Sequence, residues 1–171
     1  MTHRQYEQIF RILVSFILFL VTIVGSLGAI ANPAHALLLD YNQASLIGED
    51  LSHRDLTEAT FTRADLRNSN LSYANLRGVS LFSANLESAN LEGADLSYST
   101  ISTARFFNAN LKNAILEGAF AFNARFDGAI IEGADFTDVL FRADTEEQLC
   151  AIASGTNPIT GRNTRDTLFC P

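Results

Sequence analysis

No tryptophan occurs in this chain, methionine appears once, and only three histidines are present. Of those, His53 alone lies beyond residue 36, so no serine–histidine–aspartate relay can be assembled there. Two cysteines, Cys150 and Cys170, form no Cys/His cluster at metal-ligand spacing, and no glycine-rich phosphate loop follows a strand-like run. Basic residues are outnumbered twelve to nineteen, for a net charge of −7, which excludes nucleic-acid binding through phosphates. Catalytic residues, a metal and a cofactor are therefore all expected to be absent, and the chain reads as a non-enzyme.

The first 36 residues stand apart. Arg4 and Arg11 precede the apolar run ILVSFILFLVTIV at 12–24, and Ala34-His35-Ala36 follows the turn residues Asn32-Pro33. A basic start, an apolar centre and an A-x-A site make a secretory signal peptide over residues 1–36, cut after Ala36. An uncleaved anchor is the rival reading, because Ile12 to Ala31 is about long enough to span a bilayer. No twin arginine directs folded export, and no cysteine near the cut marks a lipoprotein. Removal of the leader leaves ten basic and eighteen acidic residues. In an oxidising exported compartment Cys150 and Cys170 are expected to pair.

After a lead-in at 37–43, the chain reads in fives from Ala44 to Ala143: ASLIG, EDLSH, RDLTE, and so on through twenty pentapeptides without insertion. The central residue is Leu, Phe or Ile in nineteen of them, Ala121 being the exception, and the residue two before it is Ala, Ser or Val except at Glu49 and Arg54. A period of five matches neither helix nor strand. The pattern resembles the pentapeptide repeat family, whose motif is A(N/D)LxX. That resemblance implies an all-β solenoid, a right-handed quadrilateral β-helix of about five coils. Four pentapeptides make one coil, with the central and small residues pointing inward. Alternating large and small inward side chains fill a narrow tube at native density. Residues twenty apart align, so Asp50, Asn70, Asn90 and Asn110 form one column and Glu92, Lys112 and Glu132 another. The charges at Glu49 and Arg54 predict a first coil that is irregular or open to solvent.

One side of the expected coil carries only two charges, Arg63 and Arg142. Its outward positions include Phe82, Phe120, Phe122 and Leu140, a candidate protein-contact face. Alternatively, the tail folds back over these residues, or a slip near Ala121 turns Phe120 or Phe122 inward to fill the space a missing Leu leaves.

From Asp144 to Pro171 the composition changes. Residues 145–154 read as a short helix with Thr145 as N-cap and Gly155 as stop, part of a C-terminal cap closed by Cys150–Cys170. Leu149 and Ile152 are placed to dock together on the last coil near Phe136 and Phe141. The segment LCAIASGTNPITGRNTRDTLFCP and the LLLDYN start resemble lumenal pentapeptide proteins of cyanobacterial and plastid thylakoids. That resemblance implies a place in the lumen or periplasm but no biochemical activity; a rigid charged rod with a ready-made contact face reads as an exported interaction or scaffold protein, with an unidentified protein partner and membrane contact only through an uncleaved leader. A tail switched by reduction of the cysteine pair is one alternative. A DNA mimic that binds topoisomerases is another, disfavoured by the export signal and the uncharged side.

Overall fold

The computed structural model describes residues 40–171; the leader lies outside them. The described chain winds in coils of twenty residues, each bridged in parallel to the next, from Asp40↔Thr60 to Phe120↔Leu140. Coils 1 to 5 are residues 44–63, 64–83, 84–103, 104–123 and 124–143. Asp40–Gln43 already follow the pattern: Tyr41 occupies a central position and stacks on Phe61 with ring centres 5.0 Å apart.

Each pentapeptide is one side and one turn. In the Ala64–Asn68 unit, the Ser69 N–H donates to the Leu66 carbonyl at 3.2 Å, and Asn68 lies between them with φ of 57°. A positive φ at the third residue of such a turn defines type II. It recurs at every fifth residue from Gln43 to Asp138, Glu58 excepted. Four turns per twenty residues give four sides. The left-handed conformation costs a non-glycine residue roughly 1–2 kcal/mol, and the coil-to-coil bond it permits, such as Asn68 N–H to Glu87 O at 3.0 Å, offsets this.

The backbone bonds also explain the Asn/Asp of the motif. Central residues donate to the following coil (Leu66 N–H to Asn85 O, 2.7 Å), and the residue before donates to the preceding one (Asp65 N–H to Ala44 O, 2.9 Å). The N–H after the central residue has no partner in this ladder. The side chain two positions back supplies one: Asn70 accepts from Ser72 N–H at 3.2 Å, Asn90 from Glu92 at 3.2 Å and Asn110 from Lys112 at 3.1 Å. Asn and Asp make such local bonds readily.

The central residues and the alanines form one core running the length of the coils. Ala121 is buried while Phe120 and Phe122 remain outward, so no slip occurs. Its layer also holds Phe106, larger than the Leu at the same position of the two coils above, and Phe106 stacks on Phe126 below with ring centres 5.0 Å apart. Glu49 and Arg54 are exposed, as the open first coil requires.

Two short helices follow: α1 (Ala143–Cys150) and α2 (Thr164–Thr167). α1 starts two residues earlier than the sequence pattern indicated. Arg142 precedes it without a side-chain cap, and Thr145 does not cap it. The chain turns straight out of coil 5 into the helix, so the coil's last extended residue is also the helix's first neighbour. Leu149, Ala153 and Leu168 are buried against the core, whereas Ile152 is about half exposed. The expected Leu149–Ile152 docking pair is thus replaced by Leu149 and Leu168.

Candidate contact face and the disulfide-bonded tail

The fourth side of every coil is built from the units centred on Phe61, Leu81, Ile101, Ala121 and Phe141. Because alternate residues of an extended segment point to opposite faces, the neighbours of each buried centre must point out. Phe120 (50 % exposed), Phe122 (59 %) and Leu140 (60 %) therefore stand clear of the core. Phe120 and Leu140 are bridged neighbours, and Phe122 lies two residues from Phe120. Phe82 (39 % exposed) belongs to the same column as Phe122 but two coils away, with Ser102 between them. The structure thus groups three of the four predicted residues and leaves the fourth about 9.6 Å along the side.

Hydroxyl groups occupy much of the remaining side. Ser83 and Thr103 are linked at 2.6 Å, Thr62 and Ser80 at 2.9 Å, and Ser102 donates to the Phe120 carbonyl at 3.1 Å. Arg142 is held by Asn123 at 3.0 Å and Asp144 at 3.6 Å.

The tail does not cover this face. It clasps a different corner, through residues that sequence reasoning did not single out. Asn157 is fully buried; its Nδ2 donates to the carbonyls of Gly133 (2.9 Å), Asn113 (3.0 Å) and Ala114 (3.3 Å), and its Oδ1 accepts from Ile159 N–H at 2.9 Å. Gly155 packs so closely there that a β-carbon would lie 2.9 Å from the Gly133 nitrogen, and its φ is +82°. Arg162 bridges Glu117 at 2.7 Å and the buried Asp135 at 3.1 Å. Burial pushes the Asp135 carboxyl up, but bonds from Thr137 and Thr160 and the Arg162 charge outweigh it and hold the group below its ordinary value of 3.8. In the sequence these residues show only as an Asn-Pro pair at 157–158 and an Asp at a motif position, neither of which specifies a clasp.

Cys150 and Cys170 are disulfide-bonded, with Cα atoms 5.5 Å apart. An open groove of about 640 Å³ lies beside them, between Glu146, Glu147, Arg165 and the strongly exposed Phe169. His53 lies on an exposed turn, stacked on Tyr73 at 5.0 Å. The expected amide ladder is present, with Asn70 donating to Asp50 at 3.1 Å, Asn90 to Asn70 at 3.2 Å and Asn110 to Asn90 at 3.1 Å. In the charged column Lys112 meets Glu132 at 3.2 Å, while Glu92 accepts from Asn110 at 3.5 Å instead. The cleavage-site residues Ala34 and Ala36 lie outside the described residues.

A family model described as pentapeptide repeats matches residues 42–72, 61–97 and 104–142. Among solved structures, a pentapeptide repeat protein of the Arabidopsis thaliana thylakoid lumen is 42 % identical, with a TM-score of 0.62, covering 77 % of this chain and 84 % of that one. One from the cyanobacterium Cyanothece is 26 % identical, with a TM-score of 0.60, over 67 % of this chain and 92 % of that one. One from Nostoc is 31 % identical, with a TM-score of 0.52, over 61 % and 85 %. The chain is also 56 % identical over 36 residues to thylakoid lumenal 15 kDa protein 1 of Arabidopsis thaliana chloroplasts. That match spans 21 % of this chain and only 16 % of the relative's length.

Proposed function

Because the chain belongs to the pentapeptide repeat family, we propose that it is a non-enzymatic interaction module of the thylakoid lumen, a right-handed quadrilateral β-helix that makes contact through its sparsely charged fourth side. The carrying observation is that Phe120, Phe122 and Leu140 stay exposed although the tail clasps the coil elsewhere. Contiguous exposed apolar groups on an otherwise polar protein mark contact surfaces. The lumenal relatives support the compartment, and the export-type leader agrees with it. On this reading the leader is cut after Ala36, and the intact mass of the exported form tests that; a mass retaining residues 1–36 in the membrane fraction favours the anchor.

The contact itself is tested with a photo-crosslinking amino acid in place of Phe122 or of Glu92 on another side. Cross-links in the exported compartment that form at position 122 and not at 92 support the face; equal or absent cross-linking removes it. A second reading, a redox-responsive tail, draws on the disulfide beside an open groove. Cross-linking patterns that are the same in oxidant and reductant would eliminate it. DNA mimicry finds no support on the fourth side, which carries two arginines and no acidic group, since a phosphate-like surface needs acidic groups there.

A further inference from the structure

Resting on the redox-responsive reading above and deepening it, we propose that the groove beside Cys150–Cys170 is a thiol–disulfide exchange site, where a protein dithiol enters on the Cys150 sulfur. The bond ties the end of α1 to the segment after α2, and both cysteines are only partly buried. Cys150 forms part of the groove wall and Cys170 does not. A nucleophile in the groove therefore meets the Cys150 sulfur, and Cys170 departs as the thiolate. Exchange depends on which sulfur is reached and on how well the other leaves. Arg165 favours the departure. Its guanidinium donates to the Cys150 carbonyl at 3.1 Å and to an oxygen of Pro171 at 2.8 Å, so a positive charge sits beside both ends of the bond. A neighbouring cation stabilises a thiolate.

In the first step the entering thiolate bonds to Cys150 Sγ, the Cys150–Cys170 bond breaks, and its electron pair leaves on Cys170 Sγ. The partner's second thiolate then attacks its own half of the mixed disulfide and releases Cys150. The partner ends as a disulfide, and its two protons end on Cys150 and Cys170. The wall also selects the partner. It carries the carboxylates of Glu146 and Glu147 against one guanidinium, which favours a basic rim around the entering thiol. The strongly exposed Phe169 on the same wall offers a protein an apolar contact. Cleavage would free the ends of α1 and α2 while Asn157 still clasps the corner.

Cys150 and Cys170 are the chain's only cysteines, so the entry point can be mapped in the full chain. The folded protein is treated briefly with the cationic monothiol cysteamine, quenched, alkylated and digested for mass spectrometry. Cysteamine should be found on Cys150 and the alkyl group on Cys170, with a several-fold preference over the reverse. At equal thiolate concentration the anionic mercaptoethanesulfonate should react several-fold more slowly. Arg165→Gln should react several-fold more slowly than Arg165→Lys, which loses the same hydrogen-bond geometry but keeps the charge. Equal or reversed adducts, equal rates for the two thiols, or equal rates for the two Arg165 variants overturn the proposal. Failed mapping with cross-linking that still differs between oxidant and reductant refutes the entry site and leaves the redox-responsive tail standing. Resistance to both thiols with identical cross-linking in oxidant and reductant removes both.

Discussion

Three consecutive residues in the middle coil have three different physical jobs. Leu91 is fully buried in the tube, Asn90 supplies an acceptor to the Glu92 N–H and joins the amide ladder, and the Glu92 side chain faces outward. A buried Leu cannot be replaced by collapse of neighbours that are fixed by their own turns. Leu91→Ala should therefore destabilise the fold by about 2–5 kcal/mol. Asn90→Ala removes one backbone partner and interrupts the ladder at a partly buried position, where water partly substitutes; about 1 kcal/mol is expected. Glu92→Ala should leave the melting temperature nearly unchanged. Chemical denaturation of the three variants checks the order, and equal losses for Leu91→Ala and Glu92→Ala would contradict the phase of the repeat.

At the scale of the element, the tail is attached in two independent ways. The disulfide closes a loop with sequence separation 20, and such a loop contributes about 3 kcal/mol by restricting the unfolded chain. Reduction should lower the melting temperature measurably. Asn157 and Arg162 should still hold residues 155–163 on the corner, so hydrogen exchange ought to quicken first in α1 and α2. The second attachment depends on pH. The Asp135 carboxyl is held below 3.8 in the folded state, so its contribution is present above that value and fades as pH falls through the folded value. Exchange at Thr137 and Arg162 should accelerate below about pH 4, and Asp135→Asn should flatten that dependence. An unchanged profile in Asp135→Asn would mean that other carboxylates govern the corner.

For the whole coiled body, contacts run mainly between adjacent coils, so stability is close to a sum of neighbour terms. Excising coil 3 (residues 84–103) joins Ser83 to Ala104 in the correct phase and leaves every column in register. The shortened chain should fold with its disulfide intact and melt at a lower temperature, with Phe82 now directly beside Phe122. Excising only 84–88 also keeps the phase of five but rotates all later columns by one side, which separates Phe82 from Phe122 and breaks the Asn70–Asn90 step of the ladder. Circular dichroism and thermal melts of the two deletions should rank the one-coil deletion as the more stable, despite its greater loss of buried residues.

Much of this was legible in the residues. The period of five is written in the residues, and the resemblance it carries to the pentapeptide repeat family implies the twenty-residue coil, the buried centres, the small inward positions and the Asp50–Asn110 ladder. Each pentapeptide meets the same neighbours one coil away, so a local rule becomes a global one. The cysteine pair was also visible, because the export-type leader read from the sequence makes pairing of Cys150 with Cys170 the expected state. The tail was not. Its helix began at Ala143 rather than at Thr145, Leu168 rather than Ile152 joined Leu149, and the clasp through Asn157, Arg162 and Asp135 was unforeseen. The repeat fixes position modulo twenty and ends at coil 5. Where the tail then docks depends on which carbonyls and which carboxylate the last coils leave unpaired at one corner, and only the assembled coils determine that. The same holds for the exposure of Phe120, Phe122 and Leu140: the sequence put them on one side, and the tail's attachment at another corner left them uncovered.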